Sequence, residues 1–234
     1  MKNEQTKIAL VTGGNRGIGF AITQGLLQKG YRVIITSRSL DKAKQAAEKL
    51  NSSGIIPVEL DVSDDDSINQ AFKSIESQIN KLDVLINNAG IYPDEGVNIL
   101  TIDRNLLNKT LNTNTFGAIR MVQELLPLLK KSSDARIVNV SSGFGEINGL
   151  SSDYPSYSLS KLALNGATIM LSQALRSQNI AVNAICPGWV KTDMGGDSAP
   201  RTPEQGADTA IWLATEASRN ETGKYWRDRK VIPY

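Results

Sequence analysis

The chain has 234 residues, enough for one large domain with a substantial core. Its 40% apolar and 21% charged content is ordinary for a globular protein and excludes a disordered one. A formal charge of +2 is too small to indicate nucleic acid or an anionic membrane surface, and there is no histidine at all.

Chain order gives a regular alternation. Short apolar, β-branched runs occur at 7–12 (KIALVT), 31–36, 55–60, 82–86, 136–140 and 180–185, separated by segments of helical length and composition. Strands joined through helices predict right-handed crossovers. The expected fold is therefore α/β, a single doubly wound parallel sheet of about seven strands with helices on both faces. Neither linker nor repeat divides the chain, so residues 1–234 are read as one domain, a cofactor half to about 110 and a catalytic half after it. The polar start MKNEQTK is not a secretory signal, no apolar run is long enough to span a bilayer, and Cys186 is the only cysteine. A cytoplasmic protein is expected.

Strand one runs into TGGNRGIG at 12–19, followed by a helical segment. Glycines between a strand and a helix let backbone amides and the helix N-terminus hold a pyrophosphate, through Gly13, Gly17 and Gly19 here. The end of the second strand decides which dinucleotide. An acid there pairs with a free ribose 2′-hydroxyl. This chain instead has Ser37 and Arg38, with Arg16 in the glycine turn on the same side, a set suited to a 2′-phosphate. NADP(H) is expected, with no metal. Ser63 followed by Asp64–Asp66 reads as a helix cap with acids in the first turn. Pro127 falls within a long helical segment, where a kink is expected.

In YPSYSLSK (154–161), Tyr157 and Lys161 stand four apart and share a helix face. An ammonium about 4 Å from a phenolate is worth roughly 4 kcal/mol at an effective dielectric of 20. That could lower a phenol's pKa by up to roughly three before burial opposes it. Tyrosine and lysine together would then do the proton transfer that histidine usually does. Tyr154 has Ser158 four residues on and is followed by Pro155, so it is assigned to the pocket wall or the helix entry. Cys186 reads as a small buried hydrophobe.

Five motifs in order, TGGNRGIG, NNAG (87–90), NVSSGFG (139–145), YSLSK and CPGWVKT (186–192), resemble those of the short-chain dehydrogenase/reductase family over essentially the whole chain. Within it, TNTFGAIRMVQELLPLL and GKYWRDRKVIPY are most similar to NADPH-dependent carbonyl reductases. The resemblance implies Tyr157 as catalytic acid, Lys161 as its partner, Ser142 as the hydroxyl that orients the carbonyl and Asn114 as holder of a relay water. It implies cofactor contacts from Gly13, Asn15, Arg16, Gly17, Ile18, Gly19, Ser37 and Arg38 at one end. Asp61, Val62, Asn88, Ala89 and Gly90 would flank the adenosine, and Tyr157, Lys161, Pro187, Gly188, Val190 and Thr192 the nicotinamide side.

Phe144, Ile147, Tyr154, Trp189 and Met194 would line an apolar or aromatic pocket for a hydrophobic ketone, aldehyde or quinone. Residues 189–203 would form a lid over it. Fifteen positions separate Ser142 from Tyr157, so the long insertion of some monomeric carbonyl reductases is absent. A homodimer or homotetramer through helices near 104–130 and 155–177 is expected. One rival is a 3-oxoacyl-carrier-protein reductase, from whose usual glycine-containing C-terminal turn YWRDRKVIPY departs. Another is a non-catalytic NADP sensor, which would commonly lack the tyrosine or lysine.

Overall fold

A computed structural model describes residues 6–234; the first five residues of the polar N-terminal segment lie outside them. The first strand, β1 (Ile8–Val11), is buried on both sides. Ile8 and Leu10 point into one core cluster and Ala9 and Val11 into the other, the period-two alternation of a strand covered on both faces. After it come α1 (Gly17–Gln28), β2 (Arg32–Ser37), α2 (Leu40–Leu50), β3 (Ile55–Glu59), α3 (Asp65–Glu76) and β4 (Val84–Asn87). The second half comprises α4 (Arg104–Leu111), α5 (Gly117–Leu129), β5 (Arg136–Val140), α6 (Pro155–Ala174), β6 (Ala181–Ile185), α7 (Pro203–Thr215), β7 (Tyr225–Arg227) and β8 (Lys230–Ile232). No helix among the described residues is long and apolar enough to cross a membrane.

The sheet order is β3-β2-β1-β4-β5-β6-β7-β8. Seven strands run parallel, and β8 returns antiparallel to β7 across Asp228 and Arg229. The eighth strand goes beyond the expected seven because the two turn residues both take positive φ, 50° and 59°, as a tight two-residue hairpin requires. Neither is glycine, so the sequence carries no obvious turn signal. Arg201 binds the Asp228 carboxylate and Arg229 forks onto Asp208, which holds the turn in place.

The chain reverses its direction of sheet growth between β1 and β4, which opens a crevice at their carboxyl ends. Side chains from α1 and α7 fill one face of the sheet, and those of α3, α5 and α6 the other. The α3 cap sits one residue later than the sequence suggests. Ser63 donates its hydroxyl and amide to Asp61 Oδ1 at 2.6 and 2.9 Å, leaving Asp64 to accept from Asp66 N. A π-helical turn, Asn112–Phe116, joins α4 to α5 inside the expected long helix, and Pro127 lies within α5.

Candidate active site

The glycine turn between β1 and α1 packs against the loop that leaves β4. Thr12 Oγ1 accepts from the amides of Asn88 and Ala89 at 2.9 and 3.0 Å. The Asn88 side chain donates to the carbonyls of Thr12 and Gly13 at 2.9 and 3.1 Å. Asn88 therefore holds the turn rather than presenting its amide to the crevice. Gly17 has φ 55°, which a side chain would strain. A Cβ on Gly19 would lie 2.4 Å from the Gly13 carbonyl oxygen and 2.5 Å from Asn88 Nδ2, so only glycine fits.

The end of β2 carries the residues expected to meet a 2′-phosphate. Arg38 is exposed, with no carboxylate within 4 Å of its guanidinium among the described residues. It is the one cation in a cleft that four carboxylates, those of Glu59, Asp61, Asp64 and Asp66, also line. Ser37 is buried and accepts from Ser39 N at 3.4 Å. Arg16, expected beside Arg38, is ion-paired with Asp193 in the loop after β6. That loop lies directly on the glycine turn, with Thr192 Cγ2 3.1 Å from where a Gly17 Cβ would be. It is knit internally by Trp189 Nε1 donating to Gly195 O at 2.7 Å, and by Lys191 N to Arg201 O at 2.8 Å. Residues 189–203, the expected lid, thus form a loop bonded within itself and seated on the glycine turn.

Farther along the crevice, α6 carries Tyr157 and Lys161, both buried. Ser142, just past β5, has its hydroxyl on the Tyr157 side of the crevice and accepts from Phe144 N at 3.3 Å. Burial pushes the Tyr157 phenol up to about 12, opposed by the Ser142 hydroxyl and reinforced by Cys186 and Asp94. This is opposite in direction to the acidification expected from the sequence. Lys161 Nζ donates to Val140 O at 2.8 Å and lies 5.6 Å from the Tyr157 ring centroid. Burial lowers Lys161 to about 8. The group poised near neutrality is the lysine.

Asn114 belongs to the π-helical turn. Its amide donates to Ile91 O and Ser160 Oγ, both at 2.9 Å, while Oδ1 accepts from Ile91 N at 2.8 Å. Both amide protons are therefore engaged by protein, and only carbonyl oxygen is left for a water. A Cβ on Gly90 would lie 3.3 Å from Asn114 Oδ1 and 3.5 Å from Lys161 Nζ, which puts the NNAG loop against both.

The pocket wall is aromatic. Phe144 meets the rings of Tyr154 and Tyr157 at 5.4 and 6.1 Å between centroids. Tyr92, which sequence reasoning missed, meets the same two rings at 5.6 and 5.0 Å. Phe144, Ile147, Trp189 and Met194 are at least 40% exposed, so none of them is core packing. Asp94 was missed as well; its carboxylate binds the amides of Ser156 and Tyr157. The only sequence signal for Tyr92 and Asp94 was their place immediately after the NNAG motif.

A model of the short chain dehydrogenase family matches residues 7–202. The chain belongs to the short-chain dehydrogenase family. It is accordingly an oxidoreductase, with the Rossmann-type sheet of that family. It is 32% identical to pig "Carbonyl reductase [NADPH] 1", over 99% of this chain and 96% of that one. It is 35% identical to the 3-oxoacyl-[acyl-carrier-protein] reductase of Aquifex aeolicus, over 94% of each. The crystal structure of NADPH-bound carbonyl reductase from chicken fatty liver superposes with a TM-score of 0.90 at 30% identity, covering 98% of this chain and 95% of that one.

Proposed function

We propose that this protein is an NADPH-dependent carbonyl reductase that converts an apolar ketone, aldehyde or quinone to the alcohol, with Tyr157 as general acid. The observation that carries the reading is the meeting of the buried Tyr157 and Lys161 with the half-buried Ser142 beside an aromatic wall. The glycine turn and the unpaired Arg38 support NADP(H) as cofactor. When bound, the cofactor supplies a hydride to the carbonyl carbon.

The protein's own residues manage the oxygen. Ser142 donates a hydrogen bond that orients it, and Tyr157, protonated across the neutral range, delivers the proton as negative charge develops. Lys161, protonated at neutral pH but close to its titration point, is the group able to restore that proton in a chain without histidine. Asn114 fixes the NNAG loop and α6 to each other, so that the crevice and the acid keep their spacing. Tyr92, Phe144 and Tyr154 give the carbonyl's substituents aromatic surface.

The test is NADPH oxidation by wild type and Tyr157→Phe against ketones, aldehydes, quinones and an acetoacetyl thioester. Reduction of the apolar carbonyls and its loss in the variant are expected. Wild-type turnover by Tyr157→Phe would end the mechanism. The relationship to the Aquifex enzyme favours a second reading, 3-oxoacyl-thioester reduction; preference for the thioester would establish it. Assembly as a homodimer or homotetramer is supported by Phe116, Leu159 and Met170, exposed apolar side chains on the two candidate interface segments. Light scattering that gives a monomer mass would refute it.

A further inference from the structure

Helix α6 begins without a local cap. Its N-cap residue, Tyr154, has φ 58° and ψ 44° and offers no side-chain hydrogen bond. Pro155 at the first helical position has no N–H, and the Ser158 amide already binds Tyr154 O at 2.9 Å. Two initial amides remain, those of Ser156 and Tyr157, and leaving them unpaired in a buried place would be costly. Asp94 Oδ2 accepts from both, at 2.6 and 3.1 Å, from a position more than sixty residues earlier in the chain. Asp94 is fully buried and its other oxygen, Oδ1, has no partner among the described residues. A buried carboxylate is tolerated there because two amides and the positive end of a helix dipole face it.

The loop that carries Asp94 is tied down along its length. Tyr154 N donates to Val97 O at 3.2 Å, Ile99 N to Ser152 O at 2.8 Å, and Asn98 pairs with Asp153 as an antiparallel bridge. Tyr92, two residues before the carboxylate, packs its ring on that of Tyr157. Backbone and ring of Tyr157 are thus both located by one short segment, 92–99.

We propose that Asp94 is a positioning residue: one of its carboxylate oxygens supplies the missing cap of α6 and so fixes the backbone of Tyr157 relative to the crevice. The proposal rests on the reading of Tyr157 as the acid. Asp94 does not touch the substrate; it acts through the helix end and through its charge. The groups facing the phenol are Ser142 from the β5 loop, Cys186 from the end of β6, Tyr92 and Asp94 from the β4 loop, and Lys161 from α6 itself. Asp94 is the only carboxylate among those acting on the phenol, and its charge raises the phenol's pKa.

The experiment compares wild type, Asp94→Ala, Asp94→Asn and Tyr157→Phe as full chains, with the best carbonyl substrate of the panel above. It reads kcat and KM across pH, NADPH affinity by fluorescence, and Tm. Asp94→Ala removes the acceptor, so kcat should fall at least about tenfold while KM and NADPH affinity change less than about threefold. Asp94→Asn keeps an acceptor for the two amides and should recover kcat to within about threefold of wild type. With the negative charge gone, its tyrosine should deprotonate more easily, so the alkaline limb of kcat should move to lower pH. Asp94→Ala with a reduced Tm but wild-type kcat overturns the proposal, because it would leave a purely structural role. If Asp94→Ala does not fold, a kcat for Asp94→Asn more than about tenfold below wild type at unchanged Tm overturns it, because the acceptor for the two amides is still present. Either result with Tyr157→Phe inactive refutes positioning alone; an active Tyr157→Phe refutes the reading of Tyr157 and positioning with it.

Discussion

Replacing Lys161 by methionine should make the protein more stable and stop it working. Lys161 is 4% exposed, and burial lowers its pKa from 10.5 to about 8. At about 1.4 kcal/mol per pKa unit, carrying that charge in the folded state costs about 3 kcal/mol below pH 8. Methionine fills similar space without the charge, while losing the charge-assisted bond to Val140 O costs about 2 kcal/mol. The net gain is about 1 kcal/mol, equivalent to a Tm rise of about 2–4 °C for a chain of this size. The sign with pH follows from the lowered pKa. Between about pH 8 and 10.5 the unfolded chain binds the extra proton, so wild-type stability climbs with pH across that window. The advantage of Lys161→Met should therefore be full below pH 8 and fade by 10.5. Thermal melts of the cofactor-free proteins from pH 7 to 10.5, beside an NADPH-oxidation assay, test this. A variant no more stable than wild type at pH 7, or a difference that does not shrink with rising pH, refutes the reasoning.

Arg38→Asp should weaken NADPH binding roughly tenfold to a hundredfold while changing NADH affinity far less, since it reverses the charge expected to meet the 2′-phosphate; fluorescence titration with both cofactors checks it. Gly19→Ala should cost about 1–3 kcal/mol of stability and impair NADPH binding, because its methyl would strike the Gly13 carbonyl and Asn88; urea melts and the same titration read it. Asn114→Ala should lose about 1–3 kcal/mol, as the half-buried Ile91 amide and carbonyl both lose their partner; urea melts read it. Tyr92→Ala should raise KM for aromatic carbonyls more than for small aliphatic ones, by about 1 kcal/mol or roughly fivefold; steady-state kinetics on a matched substrate pair decides it.

The alternation of β-branched runs with helical segments is local, so the parallel sheet, the glycine turn and the Tyr157–Lys161 pair were legible residue by residue. A four-residue spacing on a helix puts two side chains on one face whatever surrounds them. What such a spacing cannot carry is the destination of each polar atom. Lys161 reaches Val140 O, a contact made by the packing of α6 on β5, and burial there reverses the expected shift of Tyr157. Arg16 likewise carries a charge readable in the sequence, but its partner Asp193 arrives from the far end of the chain. The β7–β8 hairpin was hidden for a related reason. Asp228 and Arg229 hold positive φ through ion pairs with Arg201 and Asp208, and no turn residue announces them.

By itself the sequence determined which chemistry the chain holds: glycines where a phosphate must come close, an arginine where an acid would exclude one, and a phenol one helical turn from an ammonium. Only the tertiary structure decided how those groups are tuned. Desolvation and hydrogen bonding depend on neighbours that the fold recruits from distant segments, as Asp94 is recruited to the start of α6 and Asn114 to the NNAG loop.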